Sequence, residues 1–211
     1  MSGVSGADAP GVADAHSGTK YRTIVADPPW SIERRLGKGG RRKNATEVPY
    51  EVPYEFMSIE DIKALPVATL AADDSMLFMW ATRKVFREGT AAEVARSWGF
   101  EPCGEVIWGL RNPGMGSSYV KNDHEPLLIA KRGGASLTAE LSGVWYWRQF
   151  YEVGAAGVPQ KVHSAKPEGF FEQVEQASPG PRVELFARTG RLGWDHWGDQ
   201  SLGTAQMEAA A

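Results

Sequence analysis

The chain has 211 residues, 42% of them hydrophobic, with eight tryptophans and a net charge of −3. That length and apolar content suit one ordered domain with a sizeable core, and the charge provides no global basic field for a polyanion. A single cysteine, Cys103, excludes a disulfide framework and a cysteine-based zinc cluster, and four scattered histidines give no expectation of a metal. No apolar run approaches the ~18 residues of a membrane span. The N-terminus also lacks a charged start followed by an apolar core, so the expectation is a soluble, cytoplasmic protein.

Residues 1–19 are Gly, Ala, Ser and Asp without periodicity and predict a disordered leader. Tyr21 to Ala26 is a β-branched, apolar run that predicts a buried strand ending on Asp27-Pro28-Pro29-Trp30. Neither proline donates a backbone hydrogen bond, both fix φ near −65°, and Asp27 is pushed to an extended conformation by the proline after it. The result is a stiff shelf with an acid and an indole at a strand's carboxyl end, where open α/β sheets bind ligands. Residues 31–50 follow as a predicted mobile loop. Arg34, Arg35, Lys38, Arg41, Arg42 and Lys43 are interleaved there with glycines, a pattern suited to phosphate-backbone contact. Tyr50-Glu-Val-Pro-Tyr54 is a short local duplication that leaves open which tyrosine lies near the shelf.

Ser58 with Asp61 three residues on predicts a capped helix start, with Pro66 interrupting and a second turn reaching Ala72. Asp73-Asp74 predicts a turn into a buried strand over Ser75–Trp80. One helix is expected from about Lys84 to its stop at Gly99. A strand over Glu105–Trp108, a long loop over Gly109–Ser118 and a central strand over Glu125–Lys131 follow. Gly143–Val153 is β-prone. His163-Ser164-Ala165-Lys166-Pro167 leads into a helix with Pro167 at or near its first position, and His163 is read as a cap or a support for Lys166. Ser178–Pro181 predicts a turn, Arg182–Arg188 a strand, Gly193–Gln200 a loop, and 201–211 a frayed tail. Strands alternating with helices make the fold class α/β with a mostly parallel sheet. The absence of a G-x-G-x-x-G after the first strand, and of any Walker loop, excludes the usual dinucleotide and nucleotide-triphosphate sites.

Several stretches together resemble the MT-A70 family of S-adenosylmethionine-dependent N6-adenine methyltransferases. They are Asp27–Trp30, Met57-Ser58, Leu77–Trp80, Asp123-His124-Glu125, His163–Pro167, Glu184–Arg188 and Trp194–Asp199, matching in order and spacing over residues 20–200. The resemblance implies a Rossmann-like fold with helices on both faces of the sheet and permuted motif order, the catalytic motif early and the cofactor strand late. It implies Asp27 and the Pro28 carbonyl as acceptors for the two hydrogens of an adenine amine, held by Pro29, with Trp30 stacking on the base. It further implies S-adenosyl-L-methionine contacts from Asp27, Lys166, Arg188, Asp199 and Gln200, although the family more often has Asn-Gln at the last two positions. Acceptor contacts are expected from Trp30, Arg34, Arg35, Arg41, Arg42, Lys43, Tyr54 and Glu125. The implied partner is adenine-containing DNA or RNA, DNA favoured, with a homodimer or partner subunit supplying context. Two other readings are a non-catalytic nucleic-acid-binding subunit and an amino-methyltransferase for cytosine N4 or glutamine. Degenerate members lose the acid or the aromatic, and those other enzymes usually carry Ser or Asn before Pro-Pro, whereas here Asp27 and Trp30 both stand.

Overall fold

The computed structural model describes residues 18–31, 56–114, 120, 122–145, 151–153, 159–161 and 166–198. Strand β1 (Tyr21–Ala26) forms as its alternation demands, with Ile24 and Ala26 buried on one face and Val25 on the other. It lies inside a seven-stranded sheet. The other six strands are β2 (Ala71–Trp80), β3 (Glu101–Gly114), β4 (Asn122–Arg132), β5 (Val144–Trp145), β8 (Arg182–Leu185) and β9 (Asp195–Trp197), in the order β5-β3-β4-β2-β1-β8-β9. A separate antiparallel pair, β6 (Tyr151–Val153) and β7 (Pro159–Lys161), completes the strands of the described residues.

Strands β2, β1, β8 and β9 run parallel, and β4 runs against both β2 and β3. The carboxyl ends of β1, β2 and β8 therefore share an edge with the amino end of β4. Ile24 lies between Leu77 of β2 and Val183 of β8, so the first strand of the chain is paired with one of the last. This is the permuted, Rossmann-like arrangement expected above.

Helices cover both faces. On one, α1 (Ile59–Ala64), α2 (Val67–Leu70) and α4 (Thr90–Ser97) bring Ile62, Val67, Leu70, Val94 and Ala95, with Trp98, onto Ile24, Leu77, Met79 and Leu185. On the other, α5 (Glu168–Ala177) buries Phe170, Phe171 and Val174 against Val25, Phe78, Trp80 and Trp108. Full burial of each such side chain removes apolar area worth roughly 1.5–3 kcal/mol.

Several expected boundaries move, each for a local reason. The helix expected over 84–99 is two, α3 (Arg83–Arg87), capped by Thr82, and α4, because Gly89 takes a φ of +80°. Asp73 and Asp74 belong to β2, inside a register irregularity that lets both face solvent. The long loop from Gly109 is, up to Gly114, a continuation of β3 paired antiparallel with β4. Pro167 keeps to its expected neighbourhood, as the cap directly before α5, with extended ψ. Strand β8 stops at Leu185 because Phe186 adopts a φ of +63°. The expected terminal loop contains β9, whose pairing with β8 hydrophobic periodicity over three residues could not reveal. The leader over 1–17, the basic loop from 32 on, and the tail over 201–211 lie outside the described residues.

Candidate active site

The shelf at the end of β1 is clamped by its own backbone. The Trp30 amide donates to the Pro28 carbonyl at 2.8 Å, the Met57 amide to the Pro29 carbonyl at 3.0 Å, and the Ser31 amide to the Met57 carbonyl at 3.1 Å. Met57 immediately precedes Ser58, whose hydroxyl caps α1 by accepting from the Asp61 amide at 3.1 Å, so the first helix anchors the shelf. A carbonyl has two lone pairs, so Pro28 keeps one acceptor position after bonding Trp30.

Trp30 is placed differently from the expectation. Its side chain is 4% exposed within the core, and its indole N–H donates to the Trp80 carbonyl at 3.0 Å. Burial at the α1 face makes Trp30 an anchor tying the shelf to the end of β2 rather than an open stacking plane.

Asp27 projects toward Lys166, with Lys166 Nζ 2.9 Å from Asp27 Oδ2 and 3.3 Å from Glu125 Oε2. Three distant parts of the chain thus meet at one ammonium: the end of β1, the start of β4 and the residue before the Pro167 cap. The Lys166 side chain is 12% exposed, and its ammonium lies 5.3 Å over the Trp80 ring centroid. The Trp80 ring is held edge-on by Trp108 and Phe170, at centroid separations of 5.8 and 5.0 Å. Its buried Nε1 finds no acceptor among the described residues. Trp80 is thus both core and the floor beneath Lys166, while Trp108 is core. Burial, the largest single influence on Lys166, lowers its pKa. Asp27 and then Glu125 outweigh that effect and hold the ammonium charged above the ordinary lysine range.

One strand over, β8 pairs Glu184 with Val25, which puts its carboxyl on the same face as Asp27. Burial pushes the Glu184 carboxyl up to about 7; Arg191 opposes this, Asp27 adds to it, and Arg188 opposes it. Glu184 had no assigned role in the sequence reading beyond its place in a motif. The signal was available, since a carboxylate alternating with Val183 and Leu185 in a strand paired on both sides is costly to bury without a purpose. Just past it, the left-handed Phe186 turns the chain so that Ala187 donates to the Trp197 carbonyl at 3.0 Å and Arg188 comes within electrostatic range of Glu184. Gly198 is required here, because a Cβ would collide with the Ala187 backbone.

The structure brings together Asp27, Pro28, Lys166, Glu125 and Arg188 at one edge of the sheet. Asp199 and Gln200, which follow Gly198, lie outside the described residues, as do Arg34, Arg35, Arg41, Arg42, Lys43, Tyr54 and His163. His124 instead bonds its neighbour, Nδ1 to Asp123 Oδ1 at 2.8 Å, on the exposed side of β4.

The model of the MT-A70 family matches residues 21–200. The type II methyltransferase M.MunI of a Mycoplasma species is 27% identical over 85% of this chain and 77% of its own length. The N6-methyladenosine RNA methyltransferase MTA1 of Cryphonectria parasitica is 32% identical over 89% of this chain and 54% of its own. The human N(6)-adenosine-methyltransferase catalytic subunit METTL3 is 25% identical over 80% of this chain but only 26% of its own length.

Proposed function

The chain belongs to the MT-A70 family of methyltransferases, and from that premise we propose that it transfers a methyl group from S-adenosyl-L-methionine to the N6 amine of adenine in nucleic acid, DNA ahead of RNA. The observation that carries the reading is the Lys166 ammonium set between Asp27 and Glu125 beside the Asp-Pro-Pro shelf.

The residues present fit the cofactor. Its carboxylate calls for a fixed cation, which Lys166 provides, and its positive groups call for carboxylates, which line the same edge. Lys166, Arg188, Asp199, Gln200 and Asp27 are the residues proposed to hold it. When bound, it supplies an electrophilic methyl group on a positively charged sulfur.

The chain's own contribution is to prepare the amine. The lone pair of an aromatic amine is delocalised into the ring, so the nitrogen attacks poorly unless it is pulled toward tetrahedral geometry. Asp27 accepts one N–H and the free lone pair of the Pro28 carbonyl accepts the other. Both acceptors are fixed before the substrate arrives, by the shelf's backbone bonds and by Lys166, so little reorganisation is left for the reaction itself. Asp27 need not be a strong base, because a methylated ammonium is acidic enough to release its proton afterwards. Glu125, sharing Lys166 with Asp27, limits how fully the ammonium neutralises the catalytic carboxylate. A duplex substrate would have to extrude its adenine to reach this recessed edge.

DNA is placed ahead of RNA on the likeness to the type II methyltransferase of the Mycoplasma species. Nucleic acid is the proposed partner, with a homodimer or second subunit providing sequence context. The test is incubation with labelled S-adenosylmethionine and matched DNA and RNA oligomers, followed by nucleoside mass spectrometry. N6-methyladenine in the DNA is expected. Replacing Asp27 with Ala should lower the rate by ~100-fold or more, with melting temperature read as the fold control. Persistent methylation in that variant would overturn the assigned mechanism.

A further inference from the structure

With Trp30 turned into the core, a nucleobase at the shelf has to find its stacking partner on a neighbouring segment. Burial alternates along the shelf: Asp27 and Pro29 are half-buried, Pro28 and Trp30 buried. An extended chain sends every second side chain to the same side, so Asp27 and Pro29 share the outward one.

The segment laid against the shelf is Phe56–Ser58. Trp30 and Met57 are parallel bridge partners, joined by the bonds from the Met57 amide to the Pro29 carbonyl and from the Ser31 amide to the Met57 carbonyl. Trp30 and Met57 both pack on the core. The same register brings Phe56 beside Pro29, on the outward side. Phe56 is accordingly 56% exposed, and no other phenylalanine or tryptophan among the described residues is exposed. Its backbone is nevertheless held, by the bridge at Met57 and by the Ser58 cap of α1. Pro29 lies two residues past Asp27, about 6–7 Å along an extended chain. That step carries Phe56 away from the acceptors for the amine and out to the rim of the shelf, where the next nucleotide of the acceptor strand would pass.

We propose that Phe56 is the stacking plane for the base adjoining the target adenine, a positioning residue that holds the acceptor strand at the rim of the shelf. This deepens the function proposed above and rests on it. Every base has a π-face, so a phenyl ring grips the strand without reading its sequence. A base stacked on Phe56 gives up its stack on the target adenine, so the contact offsets part of the cost of taking the target out of the strand. The fixed backbone at Met57 and Ser58 leaves little ordering for binding to supply.

The experiment uses the full chain and an end-labelled single-stranded DNA oligomer with one adenine, its affinity read by fluorescence anisotropy. Phe56→Ala is expected to bind ~10-fold more weakly, and Phe56→Trp, which keeps a ring, to bind within ~2-fold of wild type. A second pair of oligomers carries an abasic site immediately 5′ or 3′ of the adenine. With one of them wild type should lose the same ~10-fold and Phe56→Ala no more, because the stack is already gone. Melting temperature and affinity for sinefungin, a stable analogue of the methyl donor, serve as fold controls. Equal binding by Phe56→Ala and wild type overturns the proposal, as does a Phe56→Ala penalty that persists with either abasic neighbour. Either result leaves the proposed function intact. Tight binding with the expected stacking pattern but no N6-methyladenine overturns the function and keeps the contact, and failure of wild type to bind the oligomer overturns both.

Discussion

At the scale of the residue, the site is a problem in counting charges. Lys166 is useful because it is buried yet held protonated, and that state depends on Asp27 and Glu125 together. Its folded value lies above the 10.5 of a free lysine, so the pairing is complete below that pH and is lost as pH rises through the higher folded value. Lys166→Met should therefore weaken cofactor binding at least ~10-fold and lower stability by ~1–3 kcal/mol near neutrality, a range reduced because both carboxylates are partly exposed. The alkaline fall in stability should be shallower in that variant, as read by urea melts across pH. Glu184 has the opposite dependence. Its carboxyl is raised from 4.5 to about 7, so the folded state holds the proton longer than the unfolded one, and stability declines as pH rises from about 4.5 to about 7. Glu184→Gln should abolish that decline and gain on the order of 1–3 kcal/mol over wild type at pH 8, measured in the absence of cofactor. Asp27, Lys166 and Glu125 were each readable as candidates from motif and resemblance. That one ammonium joins them was not, since they come from distant parts of the chain. Trp30 went the other way, because an aromatic after Pro-Pro reads equally as a stacking plane or as an anchor, and only its bond to the Trp80 carbonyl separates the two.

At the scale of the element, β8 and the turn after it decide where this edge of the sheet ends. A strand over Arg182–Arg188 was a fair reading of Val-Glu-Leu-Phe-Ala, but Phe186 leaves extended geometry for the left-handed region, which costs a side-chain-bearing residue about 1 kcal/mol or more. Its ring packs edge-on against Trp197 at 5.5 Å, which offsets part of that cost. The test is a comparison of two truncations. Phe186→Gly and Phe186→Ala both lose the ring, but only glycine relieves the backbone, so the glycine variant should be more stable by ~1 kcal/mol, the reverse of the usual order. Equal stability would show that the turn is not strained at this residue. Gly89 makes the same point for helices, since a periodic run over Lys84–Gly99 hides a break that depends on one residue's φ.

At the scale of the whole molecule, the permuted order places an early strand beside a late one, so the Asp27–Trp30 shelf at the end of β1 and the carboxylate on β8 become neighbours. The β3–β4 hairpin then carries Glu125 to the same edge from the other side. The net charge is −3, and the six cations over 34–43 are the chain's densest basic segment, the one suited to a polyanion under the proposed function. Neutralising Arg34, Arg35, Arg41 and Arg42 should reduce the salt dependence of duplex binding by ~3–4 in the log–log slope, with little effect on sinefungin affinity. An unchanged slope would remove the loop from the acceptor interface.

The fold class, the first strand, the capped helix at Ser58 and the shelf were legible in the chain itself, because alternation, capping and proline stiffness act over a few residues. The identity of the candidate acid and lysine was legible through resemblance. What the tertiary structure decided was pairing: Lys166 with two carboxylates, Trp30 with the Trp80 carbonyl, Glu184 beside Val25, and a terminal strand where a loop was expected. Each depends on which strands lie side by side and in what register, and register is set by the packing of both sheet faces at once rather than by any local stretch.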